Sequence, residues 1–346
     1  MRKLCINGRV IGDNQPCYVI AEIGGNFKTY EEAKKLIDAA YDSGVDAVKL
    51  QTFKADTLAS KIAKYEMKNT GNVSQYDLFK EYEIGKKLHE KVYAYSIEKG
   101  LDIFSTPSHE SDLEMLEQIG TSVYKIGSDD SNNLNFISKV ASLQKPIIVA
   151  TGMCTLKEVD DIVDAISKTG NTNFAILHAI TSYPTEYEIA NLNVITTFMK
   201  RYDGVVIGYS DHTIGMQCSL AARVLGAAII ERHFTLDKNS DGPDHILSSD
   251  PSEMKFLVNS IRIVEQALGN GIKMPVLQEQ INRKNNRKSI VMNKSLNKGD
   301  VITTDSICVK RPGTGIEASK FNIIIGRKVN KNIEKEEVLT WNDLGE

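Results

Sequence analysis

The 346-residue sequence holds only five cysteines, Cys5, Cys17, Cys154, Cys218 and Cys308. They are scattered, odd in number and never spaced as CxxC, which argues against a disulfide framework and a zinc–thiolate site. The expectation is a reduced, cytoplasmic protein. Long apolar runs are also missing: no stretch approaches the roughly 20 residues that a membrane helix needs, so no membrane partner is expected. The N-terminal MRKLCINGRVIGDNQ begins basic but lacks an apolar signal core, which points away from secretion. Neither sign of charge is in excess. Lys and Arg number 42 against 45 Asp and Glu, a formal net charge of −3. Such a balance gives no electrostatic reason to expect nucleic acid as a partner. Low-complexity segments are absent. So is a glycine-rich phosphate fingerprint after the first apolar strand, where AEIGGNF offers a single glycine pair.

What is present is a repeat of short, β-branched apolar runs separated by helical patterns. Strands are expected near 18–24, 46–53, 101–107, 122–128, 146–152, 174–180, 204–210 and 227–234. Helices are expected between them, including one continuous helix over LFKEYEIGKKLHEKVYAYSIEKG, 78–100. Thr29 with Glu32, Ser111 with Glu114 and Thr155 with Glu158 have capping-box spacing and mark three helix starts. Strict β-α alternation implies parallel strands with right-handed crossovers. Eight such units in about 250 residues make a (β/α)8 TIM barrel. An open doubly wound sheet is the alternative.

Barrel chemistry sits at the C-terminal ends of the strands. In order, those ends carry Glu22, Lys49 with Gln51, Ser105 with Thr106, Lys125 with Ser128, Thr151, His178, Ser210 with Asp211 and His212, and Glu231 with His233. His212 and His233 lie on neighbouring strands, and two imidazoles plus carboxylate or water oxygens suit a divalent first-row metal. Buried lysines are rare unless paired. Lys49 and Lys125 therefore read as an anion site, as a Schiff-base lysine, or as ion pairs with Glu22 or Glu231. The hydroxyls of Thr106, Ser128 and Ser210 favour the anion. The loop SDGPDHILSS, 240–249, is placed to offer Asp244 to a hydroxylated substrate.

In order along the chain, AEIGGN, VKLQTF, FSTP, YKIGS, TGM, YPT, GYSDHT, IERHFTLD and GPDH resemble the sialic acid synthase family. The C-terminal RKSIVMNKSLNKGDVITTDSICVKRPGTG is similar to that family's antifreeze-like (SAF) domain. The resemblance implies a barrel over 1–268, a linker over 269–286 and an SAF domain over 287–346. It implies a transferase that joins phosphoenolpyruvate to N-acetylmannosamine or a related 2-acetamido aldose, yielding a nine-carbon 2-keto acid and phosphate. It also implies a divalent metal on His212 and His233, usually manganese, with magnesium or cobalt as alternatives. The family's phosphoenolpyruvate positions match Lys49, Thr106, Lys125, Ser128 and Ser210. Its sugar positions match Gln51, Tyr183 and Asp244, and Glu22 and Glu231 match its catalytic-site acids. In the family, a domain-swapped homodimer lets the tail cap the partner's barrel with an arginine matching Arg311. Departures fall at Phe27, where histidine is common, at Ala150, where a serine helps bind phosphoenolpyruvate, and at Thr181–Ser182, which displace an asparagine. A legionaminic acid synthase is the first alternative. A class I aldolase using Lys125 and a catalytically silent sugar-phosphate binder are the others.

Overall fold

A strand sends alternate side chains to opposite faces, and here both faces are buried. The computed structural model describes residues 1–67, 71–240, 242 and 244–345. Eight parallel strands close into a barrel: Tyr18–Glu22, Ala47–Thr52, Asp102–Pro107, Tyr124–Ile126, Ile147–Ala150, Phe174–Ala179, Val206–Asp211 and Ile229–His233. We refer to them as the first to eighth strands. Ile20, Phe104, Ile148, Leu177 and Ile229 fill the barrel's interior. Val19, Val48, Ile103, Val149, Ile176, Ile207 and Ile230 face outward into the layer shared with the helices. The open sheet is thereby excluded.

Thr29 and Thr155 cap their helices with both bonds of the capping box. Ser111 does not. That helix begins two residues earlier, at Glu110, and His109 is the cap, its imidazole accepting from the Ser111 N–H. The single helix expected over 78–100 is two, Gln75–Tyr82 and Lys86–Glu98. Glu83 leaves the helix with extended backbone and Gly85 caps the next one. The local pattern of apolar residues continued across a residue, Gly85, that is a poor helix former.

Two features were not anticipated from the sequence. Lys3–Ile6 and Arg9–Gly12 form an antiparallel hairpin turned by Asn7 and Gly8, both at positive φ. Asn-Gly is the preferred pair for such a turn. The hairpin packs Leu4, Ile6 and Ile11 against the interior residues at the N-terminal ends of the strands and plugs the barrel there. A second hairpin, Lys64–Met67 with Gly71–Ser74, rises after the second strand.

The chain divides into two compact units, Met1–Gly269 and Asn270–Glu346. The second has its own core of Ile290, Met292, Ile302, Ile307, Ile316, Ile324, Val329, Ile333 and Leu339. Strands Ser289–Met292 and Ile307–Lys310 pair antiparallel within it. The segment expected as a linker is not featureless, since it contains the helix Gln280–Asn286. Among the described residues no helix is long and apolar enough to cross a membrane.

Candidate active site

At the C-terminal mouth the inward positions change from apolar to charged. Glu22 and Lys49 are paired neighbours on the first and second strands, and their side chains form a salt bridge. Lys49 Nζ also donates to Thr106 Oγ1 at 3.3 Å and lies 3.9 Å from Glu231. Lys125 reaches the same Glu231 oxygen at 3.3 Å, and Ser210 Oγ donates to it at 3.1 Å. Two carboxylates and two ammonium groups thus form one buried chain: Glu22, Lys49, Glu231, Lys125. Burial pulls Lys49 down to about 8. Burial pushes Glu231 up, but Lys125 and then Lys49 outweigh it and hold the carboxyl at about 2. Glu231 Oε2 is buried with no hydrogen-bond partner, so a bound molecule could engage it.

Above this chain stand the histidines, their rings 5.5 Å apart. His212 Nδ1 lies 2.8 Å from the Ile180 carbonyl. A carbonyl accepts only, so Nδ1 carries the proton and Nε2 keeps its lone pair. His233 Nδ1 is buried without a hydrogen bond, although an Asp244 oxygen stands 3.4 Å away. Burial, then His233, lowers His212 to about 4. Burial, then Lys49, lowers His233 to about 3. Both are neutral imidazoles at pH 7, the form that binds metal. Among the described residues no group of three His, Cys, Asp or Glu side chains is arranged to hold an ion. The donor set that fits is the imidazole pair, with oxygens from water or substrate completing it.

Tyr183 lies against His212 with ring centroids 4.3 Å apart and planes tilted by 36°, and meets His233 edge-on at 6.1 Å. Gln51 occupies the inner face one step above Lys49. Ser128 Oγ accepts from the Gly152 N–H at 2.9 Å. A side chain at residue 152 would collide with the hydroxyls of Thr181 and Ser128, which is why TGM needs its glycine. Asp244 is described, whereas Asp241 and Pro243 of its loop lie outside the described residues. Arg311 is an exposed residue of the second unit. Phe27 is buried in the layer outside the barrel, and Ala150 is buried on the fifth strand.

Four polar residues expected to converge here do not. Ser105, Thr151, His178 and Asp211 fall on the alternate positions that face the helices. Ser105 Oγ bonds Thr52 Oγ1, which bonds His89 Nε2 at 2.9 Å. Thr151 Oγ1 donates to the Leu177 carbonyl. His178 Nε2 bonds the Ala190 carbonyl, and Asp211 pairs with Arg232. Two mouth residues were missed. Tyr65, on the second hairpin, feels the Asp129 and Asp244 carboxylates, which with burial raise its phenol to about 12. Asp129 also acts on Lys49 and Tyr183. The signal for Asp129 was its place just after Ser128. Tyr65 gave none, because it belongs to a loop insertion.

A closed parallel barrel with an ionic, imidazole-bearing site at its C-terminal end defines a (β/α)8-barrel protein of the enzyme type. Residues 36–273 match the NeuB family and residues 287–345 match the SAF domain. The chain belongs to the NeuB family. It is 38% identical to the N,N'-diacetyllegionaminic acid synthase of Campylobacter jejuni, across 93% of this chain and 98% of that one. It is 32% identical to the human N-acetylneuraminate-9-phosphate synthase, across 96% and 94%. Among solved structures it resembles the N-acetylneuraminic acid synthetase of Leptospira borgpetersenii, solved with citrate. The TM-score is 0.74 at 31% identity, over 81% of this chain and 95% of that one.

Proposed function

We propose that the chain is a nonulosonic acid synthase. It condenses phosphoenolpyruvate with N-acetylmannosamine or a related 2-acetamido aldose and releases phosphate. The observation that carries this reading is the buried chain of two lysines and two glutamates directly beneath two neutral imidazoles. Lys49, Lys125, Thr106, Ser128 and Ser210 bind phosphoenolpyruvate as cations and hydroxyl donors. Gln51, Tyr183 and Asp244 hold the aldose. His212 and His233 would hold manganese, with magnesium or cobalt as alternatives, which would supply a Lewis acid for the aldehyde oxygen.

Carbon 3 of phosphoenolpyruvate is itself the nucleophile, so the protein needs no covalent one. As the C3–C1 bond forms, positive charge develops at C2. Lys125 and Lys49 hold Glu231 in its ionised form against burial, and it suits the stabilisation of that charge. The aldehyde π electrons become a C1 alkoxide, which is protonated. Water adds at C2, and Glu22 takes one of its two protons. The C2 hydroxyl then gives up the other as the C–O bond to phosphate breaks, leaving inorganic phosphate and the 2-keto acid. Ala150 contributes no hydroxyl, so the anion depends on the five residues named. In the same proposal the protein is a homodimer, and Arg311 of each second unit serves the other subunit's sugar site.

A second reading of the substrate, a diacetamido aldose, is favoured by the higher identity to the Campylobacter enzyme. Asp129 and Asp244 at the mouth offer acceptors for additional N–H groups. The test is phosphate release from phosphoenolpyruvate over a panel of mono- and diacetamido aldoses, before and after chelation. Aldose-dependent release that is lost on chelation and restored by manganese is expected. No release with any aldose overturns the proposal. Full activity after exhaustive chelation, with no metal by elemental analysis, removes the metal from it.

A further inference from the structure

Arg232 sits between Glu231 and His233 on the eighth strand, and Asp211 sits between Ser210 and His212 on the seventh. The register pairs Asp211 directly with Arg232. Period-two alternation therefore puts four site groups on the inner face of these rungs and one ion pair on the outer face. Arg232 Nη1 donates to Asp211 Oδ2 at 2.6 Å. Its Nε donates to Ser249 Oγ at 3.0 Å and its Nη2 to the Thr213 carbonyl at 2.9 Å. Asp211 Oδ1 accepts from the Thr213 N–H at 2.9 Å and hydroxyl at 2.8 Å, and its Oδ2 also accepts from Ser219 Oγ. Asp211 is 1% and Arg232 2% exposed.

Burying two charges is an expensive way to fill space. Well-packed apolar residues often serve stability as well or better. Lower on these strands, Ile207 and Ile230 face the same layer with apolar side chains. What the ion pair adds is direction: a guanidinium fork fixes partners at set angles. Its partners belong to three elements that frame the site. Asp211 precedes His212. Thr213 follows it, in a segment where the His212 carbonyl accepts from the Thr185 N–H, two residues from Tyr183. Ser249 ends the loop that carries Asp244, and its N–H donates to the His233 carbonyl at 2.8 Å.

We propose that Arg232, through its buried pair with Asp211, is a positioning residue. It sets His212, His233 and the Asp244 loop relative to one another. It touches neither substrate nor metal. The inference rests on the synthase reading for the roles of the histidines and Asp244. Lys49, Thr106, Lys125 and Ser128 belong to the second, third and fourth strands and their ends, outside this tie, and only Ser210 adjoins it, so phosphoenolpyruvate binding should depend on it little.

Arg232→Lys keeps the charge but cannot hold three partners in one plane. Three quantities are measured on wild-type and variant full-length protein: the Kd for Mn2+ on metal-free protein, the Kd for phosphoenolpyruvate alone, and KM for the aldose. For a variant with a native circular dichroism spectrum, the Mn2+ Kd and aldose KM are expected to rise tenfold or more. The phosphoenolpyruvate Kd is expected to stay within twofold. Unchanged Mn2+ and aldose constants, or a parallel loss of phosphoenolpyruvate affinity, overturn the proposal. If Arg232→Lys does not fold, Ser249→Ala removes the Nε bond without stranding a charge. It is expected to raise the aldose KM severalfold with phosphoenolpyruvate Kd unchanged, and no rise overturns the proposal. Wild-type protein without Mn2+ binding or aldose-dependent turnover overturns the synthase reading and this proposal together. Active wild type with indifferent variants overturns this proposal alone.

Discussion

Lys125 illustrates how much one side chain does in the buried charge chain. It sits 3.3 Å from Glu231, and its loss leaves that carboxylate with the Ser210 hydroxyl and, as its cation, the more distant Lys49 at 3.9 Å. Lys125→Ala is expected to weaken phosphoenolpyruvate binding about ten- to a hundredfold, since a buried charge-assisted bond contributes roughly 1.5–3 kcal/mol. Titration calorimetry with phosphoenolpyruvate alone reads this directly. A borohydride-trapped adduct in the wild type that disappears in the variant would instead favour the aldolase. At this scale, parity decides what a sequence discloses. Glu22, Lys49, Lys125, Ser210, Glu231 and His233 were legible because alternate residues of a strand share a face. Ser105, Thr151, His178 and Asp211 were misjudged because proximity to a strand end was taken as enough. A polar residue on the outer face is buried too, and finds its hydrogen bond among the helices.

The elements divide into those that a local pattern specifies and those that it does not. All eight barrel strands were readable, because a run buried on both faces is apolar throughout. The break at Gly85 and the cap at His109 were not, since the apolar pattern runs on across Gly85 and the Ser111–Glu114 spacing imitates a capping box. The second hairpin brings Tyr65 to the mouth. Tyr65 packs edge-on against Phe79 with centroids 6.0 Å apart, and Phe79 packs on Phe53 at 5.2 Å. This aromatic row holds a phenol that stays protonated well above neutrality, within the field of Asp129 and Asp244. Tyr65→Phe keeps the row and removes the hydroxyl. The aldose KM is expected to rise about three- to tenfold, one lost hydrogen bond's worth, while KM for phosphoenolpyruvate stays unchanged. Equal shifts in both constants would place Tyr65 outside the sugar site.

The molecule as a whole is a barrel and a second unit with a separate core. The proposed exchange of caps is tested by mixing. Arg311→Ala and His233→Ala are each expected to be nearly inactive. A mixed dimer has one barrel with His233 served by an intact Arg311, so about half of its sites should work. Mixed dimers shown to form but inactive would end the swapped arrangement. The plug at the other end of the barrel bears on traffic. Leu4, Ile6 and Ile11 pack beneath the filled interior, so the buried charges are approached from the C-terminal mouth. The lysines stand on the strands, deep in the well, while Asp244 belongs to a loop nearer the rim. If both substrates of the proposed reaction use that mouth, they must queue. Phosphoenolpyruvate is then expected to enter first, and an aldose that arrives early to block the way. Initial-rate patterns should be ordered, with excess aldose inhibiting in competition with phosphoenolpyruvate, and random-order kinetics would show a second route in.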